Sequence, residues 1–296
     1  MIILNSDNSS SLSKTTKAIL KEHGITLNKN LGQNYLIDRN KRDQIISFGN
    51  LTKKDIVLEI GPGIGTLTIE LAKRAKKVIA IEQDSNICQI LEERLKNENI
   101  DNVELINDDA LNVEFPKFNK IIANLPYQIS SPITFKFLNY DFQLAILMYQ
   151  KEFASRMNGK VGTKDYSRLS AMLYFKCDVE TLTNVSAESF IPKPKVDSSV
   201  VKLTPKISEL TQINEDDFKI YSKYVQALFQ HRNKKVKNAL IDSRHIITDL
   251  DKKEIKNKLN SINQKKIEEY LSKRITTITP EEILYLSLKL NSILQE

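Results

Sequence analysis

Ile56-Val57-Leu58-Glu59-Ile60-Gly61-Pro62-Gly63-Ile64-Gly65 decides the fold of this 296-residue chain. A short, mainly β-branched run reads as a buried strand, and glycines at three alternate positions follow it directly. Glycine reaches positive φ without steric cost and lets the backbone approach a ligand closely. A helical pattern over residues 66–75 comes next. Strand, glycine turn and helix in that order begin an open α/β sheet, whose ligands bind beyond the carboxyl ends of the strands. The spacing departs from G-x-G-x-x-G, which disfavours a nicotinamide or flavin dinucleotide.

Outward from this stretch the alternation continues. Lys77–Glu82, Val103–Asn107, 121–123 and 144–149 read as strands, and 85–96 as a helix. Ser131 as N-cap with Pro132 at the first helical position predicts a helix through Leu138. Residues 167–175 read as a helix, and 179–185 and 199–203 as closing strands. Such alternation predicts a mostly parallel sheet covered on both faces. All eight glycines lie at or before Gly162, and seven of eight prolines at or before Pro205. The loss of these breakers marks a change of architecture near Pro205. Beyond it the pattern is helical. Residues 218–240 carry Tyr221, Val225, Leu228, Val236 and Ala239 at near-helical spacing. Thr279-Pro280-Glu281-Glu282 reads as a capping box opening the last helix. The Lys-rich stretch 252–266 is mixed with Ile, Leu and Glu and reads as a solvated helical face. The fold class is therefore α/β, a Rossmann-like sheet with a small C-terminal all-helical domain. The expected divisions are a disordered, polar tail over 1–22, a ligand-binding domain over 23–205 and a helical domain over 206–296.

Composition narrows the partners. A net charge of +7 fits a polyanion such as nucleic acid. Cys88 and Cys177 match no metal spacing and no disulfide framework, so both read as buried thiols of a cytoplasmic protein. His23, His231 and His245 share no catalytic spacing, and no metal site is expected. No apolar run of about 18 residues offers a membrane span, and the start lacks the apolar region of a secretory signal.

Three further elements follow strand ends. Glu82, 21 residues after Gly61, can accept hydrogen bonds from both hydroxyls of a ribose. In Asp108-Asp109-Ala110 a carboxylate can accept from an adenine amino group, or it can cap its own turn. Asn124-Leu125-Pro126-Tyr127 is the most specific. The amino nitrogen of adenine is a poor nucleophile because its lone pair is delocalised into the ring. Acceptors placed at its two hydrogens favour the sp³-like geometry needed for attack. The Asn124 side-chain oxygen and the Leu125 carbonyl are the residues to supply them. Pro126 stiffens the loop by fixing φ, and Tyr127 offers a ring on which a flipped base can stack.

Taken in order, Asn30-Leu31-Gly32-Gln33-Asn34-Tyr35-Leu36, the glycine loop, Asn124–Tyr127 with Ser130-Ser131-Pro132, and Phe190-Ile191-Pro192-Lys193-Pro194-Lys195-Val196-Asp197-Ser198 resemble the ribosomal RNA adenine N6-dimethyltransferase family. The wording around residues 128–137 and 147–162 is most similar to its archaeal and eukaryotic branch. The resemblance covers nearly the whole chain past the first twenty-odd residues, and 229–235 resembles part of that family's helical domain. It implies a class I methyltransferase sheet using S-adenosyl-L-methionine, acting as a monomer on small-subunit rRNA in a pre-30S particle. It implies that Asn34 and Leu36 touch the cofactor from an N-terminal arm. Gly61 and Gly63 would flank its methionine, Glu82 its ribose and Asp109 its adenine. Asn124 would contact cofactor and target, with Tyr127 and Phe190 sandwiching the flipped adenine. Tyr35 stands where Phe is common.

Three other readings compete: a large-subunit rRNA methyltransferase of the macrolide-resistance type, a non-catalytic ribosome-assembly factor, and a DNA adenine methyltransferase. Leu125 disfavours the last, which carries Pro-Pro-Tyr. Intact Gly61, Glu82, Asn124 and Tyr127 disfavour the second, since a pure binder needs none of them. For RNA contact, His231-Arg232-Asn233-Lys234-Lys235-Val236-Lys237 has four fixed positive charges and no acid. On a continuous helix Arg232, Lys234, Lys235 and Lys237 would form one phosphate-binding patch. Lys14, Lys17, Lys21 and Lys29 of the arm are the alternative.

Overall fold

The computed structural model describes residues 9–25, 34–206 and 213–295. Among the described residues the strands are β1 (Tyr35–Leu36), β2 (Ile56–Ile60), β3 (Lys77–Glu82), β4 (Val103–Asn107), β5 (Lys120–Asn124), β6 (Leu144–Gln150), β7 (Cys177–Val185), β8 (Phe190–Ile191) and β9 (Ser198–Pro205). The helices are α1 (Ser9–Glu22), α2 (Arg39–Phe48), α3 (Thr68–Arg74), α4 (Ser85–Asn97), α5 (Ser130–Phe137), α6 (Lys151–Met157), α7 (Arg168–Lys176), α8 (Glu215–Phe229), α9 (Val236–Asp242), α10 (Lys252–Ser261), α11 (Lys265–Ser272) and α12 (Pro280–Gln295). They fall into two units, residues 1–154 with 179–205, and residues 155–178 with 206–296.

The first unit is the α/β sheet, in the order β4-β3-β2-β5-β6-β9-β7. The first five of these strands are parallel, and β9 returns antiparallel beside β6. From β2 the chain crosses to β3 on one side and reaches β5 on the other. Their boundary is the switch point at which open α/β sheets bind ligands. The strands form where the sequence is continuously apolar. Val57, Leu58, Val78, Ala80, Ile121, Ile146 and Leu147 are all under 2 % exposed. Between strands, Asp84 caps α4 through the N–H groups of Asn86 and Ile87, and Asp38 caps α2 through that of Lys41.

The expected tail over 1–22 is corrected where it is described: residues 9–22 form α1. Thr16 and Leu20 are buried, and Leu20 packs with Tyr35, Ile64, Ile87 and Ile90. Polar composition hid this because one apolar side suffices to dock a short helix. The rest of the tail lies outside the described residues. Ser131 is also corrected. A short 3-10 turn, Tyr127–Ile129, runs directly into α5, so Ser131 lies inside the first turn.

The second unit is helical. Its boundary at Pro205 coincides with the loss of breakers, but 155–178 joins it, contrary to the expected 23–205 domain. Tyr166 donates to the carbonyl of Ile278 at 2.9 Å, and Tyr221 to that of Ala171 at 2.8 Å. These partners lie 112 and 50 residues apart in sequence, beyond the reach of local periodicity. The capping box forms: Thr279 Oγ1 accepts from the Glu282 N–H, and Glu282 accepts from the Thr279 N–H. The continuous helix over 218–240 does not. α8 stops at Phe229 and α9 starts at Val236, because the intervening backbone pairs elsewhere. Val236 N–H donates to Lys273 and Ile275 N–H to Lys234, which requires an extended Lys235 at φ −69°, ψ 148°.

Candidate active site

A cleft opens where β2, β3, β4 and β5 end. The registers Ile60 to Ile81 and Glu82 to Asn107 bring these ends level. The loops that follow enclose about 1050 Å³, open mouth included. Asn34, Leu36, Gly61, Gly63, Glu82, Asp109, Asn124, Leu125, Pro126 and Tyr127 all line it.

The glycine loop is pressed from both sides. At Gly61, φ is +68°, and a Cβ there would stand 3.0 Å from Pro126 Cγ and Cδ. At Gly63, φ is +55°, and a Cβ would meet the Tyr35 ring at 2.8 Å. Tyr35 is held there because β1 pairs with β8, setting Tyr35 opposite Ile191 and Leu36 opposite Phe190. Asn34 continues the arm, and its carbonyl accepts from Asn124 Nδ2 at 3.0 Å. Residues 30–33 of the arm motif, and Lys29, lie outside the described residues.

Glu82 accepts from the N–H of Gly63 and that of Asp84, each at 3.1 Å. It thus holds the loop and the start of α4 together. A carboxylate has about four acceptor sites, so roughly two remain for ligand hydroxyls. Asp109 accepts from the Leu111 N–H at 2.9 Å and the Asn112 amide at 3.2 Å, so it caps its own turn. Its remaining lone pairs, and those of Asp108, border the cleft.

Glu59 is an acid within an apolar strand, a pattern that by itself names no ligand. It is 1 % exposed and lines the same cleft, and its Oε2 has no hydrogen-bond partner among the described residues. Burial, reinforced by the charge of Glu82, pushes its carboxyl up to about 8. A buried carboxyl oxygen without a partner is costly unless a ligand completes it. Four acids around one cleft therefore suit a ligand carrying positive charge, hydroxyls and an amino group, as S-adenosylmethionine does.

Asn124 ends β5. With its Nδ2 held by Asn34, its Oδ1 is the end left to accept. The Tyr127 hydroxyl shares a 2.6 Å hydrogen bond with Ser198 Oγ, and Ser198 is fully buried at the start of β9. Ser198 ends the Phe190–Ser198 motif, where nothing local to the sequence marks it as the partner of Tyr127. Phe190 is not brought to the cleft. It is 2 % exposed and packs with Leu36, Ile45, Ile46 and Val200. Its ring is a core side chain here, on the strand β8 that pairs with β1.

The basic patch is also rearranged. Arg232 lies in the turn after α8 and donates to the carbonyls of Tyr166, Thr163 and Lys164 at 3.0, 3.0 and 2.7 Å. Lys234 pairs with Asp242 at 2.7 Å, and Lys237 donates to Asn260. Of the four charges only Lys235 stands exposed without a described side-chain bond. Cys88 and Cys177 are buried and free. No group of three or more His, Cys, Asp or Glu able to hold a metal occurs among the described residues, and none of the described helices is long and apolar enough to cross a membrane.

The chain is similar to known proteins over most of its length. Residues 24–278 match the model of the ribosomal RNA adenine dimethylase family. A curated relative from Methanosphaera stadtmanae, named probable ribosomal RNA small subunit methyltransferase A, is 48 % identical over 92 % of this chain and 97 % of its own. Among solved structures, a dimethyladenosine transferase from Plasmodium falciparum has a TM-score of 0.72 at 32 % identity, covering 86 % of this chain and 97 % of its own. The 23S rRNA methyltransferase ErmE has a TM-score of 0.59 at 26 % identity, covering 88 % of this chain and 100 % of its own. The chain belongs to the ribosomal RNA adenine dimethylase family, and its methyl donor is S-adenosylmethionine.

Proposed function

We propose that this protein methylates the N6 nitrogens of two adjacent adenines in a 3′-terminal hairpin of small-subunit rRNA, two methyls each, during subunit assembly. The observation that carries this reading is Asn124: its amide is oriented by the Asn34 carbonyl at the mouth of a cleft walled by Gly61, Glu59 and Glu82. When bound, the donor supplies a methyl group activated by its positive sulfur. Glu82 holds the ribose hydroxyls and the Asp108–Ala110 wall meets the donor's adenine. Asn124 Oδ1 and the Leu125 carbonyl accept the two hydrogens of the target amine, turning its lone pair toward the methyl group. Tyr127, fixed by Ser198, stacks on the flipped base. Alignment of this kind lowers a barrier by several kcal/mol; the sulfur–methyl bond breaks as the nitrogen–methyl bond forms, and the amine's proton passes to solvent.

For RNA, the described lysines of α1 are the better placed set. Lys14, Lys17 and Lys21 are exposed and spaced by three and four residues, so they share one face of α1, while Thr16 and Leu20 are buried. That face follows phosphates without reading bases. Free, buried cysteines fit a cytoplasmic particle, the small-subunit precursor, met by one copy of the chain. The large-subunit alternative has the weaker support, 26 % identity against 48 % for the small-subunit relative.

The test is mass spectrometry of rRNA nucleosides after incubation with donor and, in separate reactions, unmodified small and large subunits. N6,N6-dimethyladenosine in the small-subunit rRNA is the expected product, absent with Asn124→Ala. Product only in large-subunit rRNA would refute the substrate, and no product would refute the activity.

A further inference from the structure

Two walls of the cleft are tied by a side chain that has no part in the reaction as described. Lys136 lies in α5, which continues from the Asn124–Tyr127 loop. Its ammonium donates to the carbonyls of Ala110 at 2.9 Å, Leu111 at 3.2 Å and Val113, and sits 4.3 Å from the centroid of the Phe115 ring. An ammonium has three N–H donors, so one turn engages them all. Tyr140, just past α5, reinforces the tie. Its hydroxyl donates to Glu114 at 2.7 Å and accepts from the Phe115 N–H at 3.3 Å. The near end of the same turn is Asp108, Asp109 and Ala110, which line the cleft. Carbonyls converging on one point repel each other, and the cation between them removes that cost.

We propose that Lys136 is a positioning residue that holds the Asp108–Ala110 wall in register with the Asn124 loop and thereby sets recognition of the donor's base. The proposal rests on the reading that the donor's adenine lies against this wall. If Lys136 acted only as a staple of the fold, its loss would weaken every ligand of the cleft alike. A positioning role weakens only ligands that use the wall.

The experiment compares S-adenosylhomocysteine with its S-inosyl counterpart, which has an oxygen in place of the 6-amino group. Binding of each to wild type, Lys136→Met and Lys136→Arg is measured by calorimetry, with thermal unfolding in parallel. Wild type is expected to prefer the adenine form by roughly 10- to 100-fold, the worth of one hydrogen bond to a charged acceptor. In Lys136→Met that preference should fall to about threefold or less, through loss of the adenine form alone. Lys136→Arg should lie between, because a planar guanidinium cannot converge on three carbonyls. Should Lys136→Met fail to fold, Lys136→Gln, which keeps two amide donors, takes its place. Equal weakening of both ligands, or an unchanged preference, would overturn the proposal. A wild type that binds both forms equally would overturn the placement of the base itself, a failure visible before any variant is made.

Discussion

Glu82→Gln separates two tasks that one carboxylate performs. The side chain keeps its shape, but one oxygen becomes an amide that can only donate. In the structure the two oxygens accept from Gly63 and Asp84, so one of these N–H groups must lose its acceptor. Leaving a buried N–H unpaired costs about 1–3 kcal/mol. That corresponds to a fall in melting temperature of roughly 2–10 °C for a domain of this size. Donor binding suffers further. Charge-assisted bonds to the ribose become neutral and one acceptor disappears, a loss of about 2–4 kcal/mol, or roughly 30- to 1000-fold in Kd. Calorimetry with S-adenosylhomocysteine reads the affinity, and thermal unfolding without ligand reads the stability. A Kd within threefold of wild type would refute the ribose assignment. An unchanged melting temperature would refute the claim that Glu82 braces the glycine loop.

Asn124→Ala should leave donor affinity within about threefold yet cut the single-turnover methylation rate by at least about a hundredfold, because an acceptor used in the transition state acts on rate more than on binding. Tyr127→Phe should keep the stacking ring but orphan buried Ser198, lowering stability by about 1–3 kcal/mol in chemical unfolding while activity survives; equal stability would show that the Ser198 bond contributes nothing. Glu59, with its folded-state value raised to about 8 from 4.5, holds a proton that the unfolded chain releases. Its contribution to stability is therefore full below pH 4.5 and is lost as pH rises to about 8, a slope that Glu59→Gln should flatten in pH-dependent unfolding. A cationic donor favours the ionised form, so its binding at pH 7 should release a proton, read as a heat that depends on the buffer's ionisation enthalpy. Arg232→Gln should destabilise the helical unit by about 1–3 kcal/mol with rRNA affinity unchanged, whereas Lys14, Lys17 and Lys21 changed to Glu should weaken rRNA binding and flatten its salt slope by about 2–3. The reverse pattern in filter-binding assays would return the RNA contact to the Arg232 segment.

What the sequence determined by itself was local. Ile56–Ile60 and the glycines after it state strand, turn and ligand edge, because an apolar run and positive φ are properties of consecutive residues. The capping box at Thr279 was legible for the same reason, since its partners are three residues apart. Glu82, Asp109 and Asn124 could be placed on one edge because parallel strands bring their carboxyl ends together. Tertiary structure alone decided what depends on distant partners. Phe190 is a core ring because Leu36, far earlier in the chain, pairs beside it. Helix periodicity runs through Arg232, but the carbonyls of Thr163, Lys164 and Tyr166 claim its guanidinium and the Lys273–Ile275 segment claims the neighbouring backbone. Glu59 shows in the sequence only as an acid within an apolar strand and Lys136 gives no signal, since the unpartnered oxygen of one and the three carbonyl partners of the other exist only once the walls of the cleft have met. Periodicity records which face a residue presents, and only the folded chain supplies what meets that face.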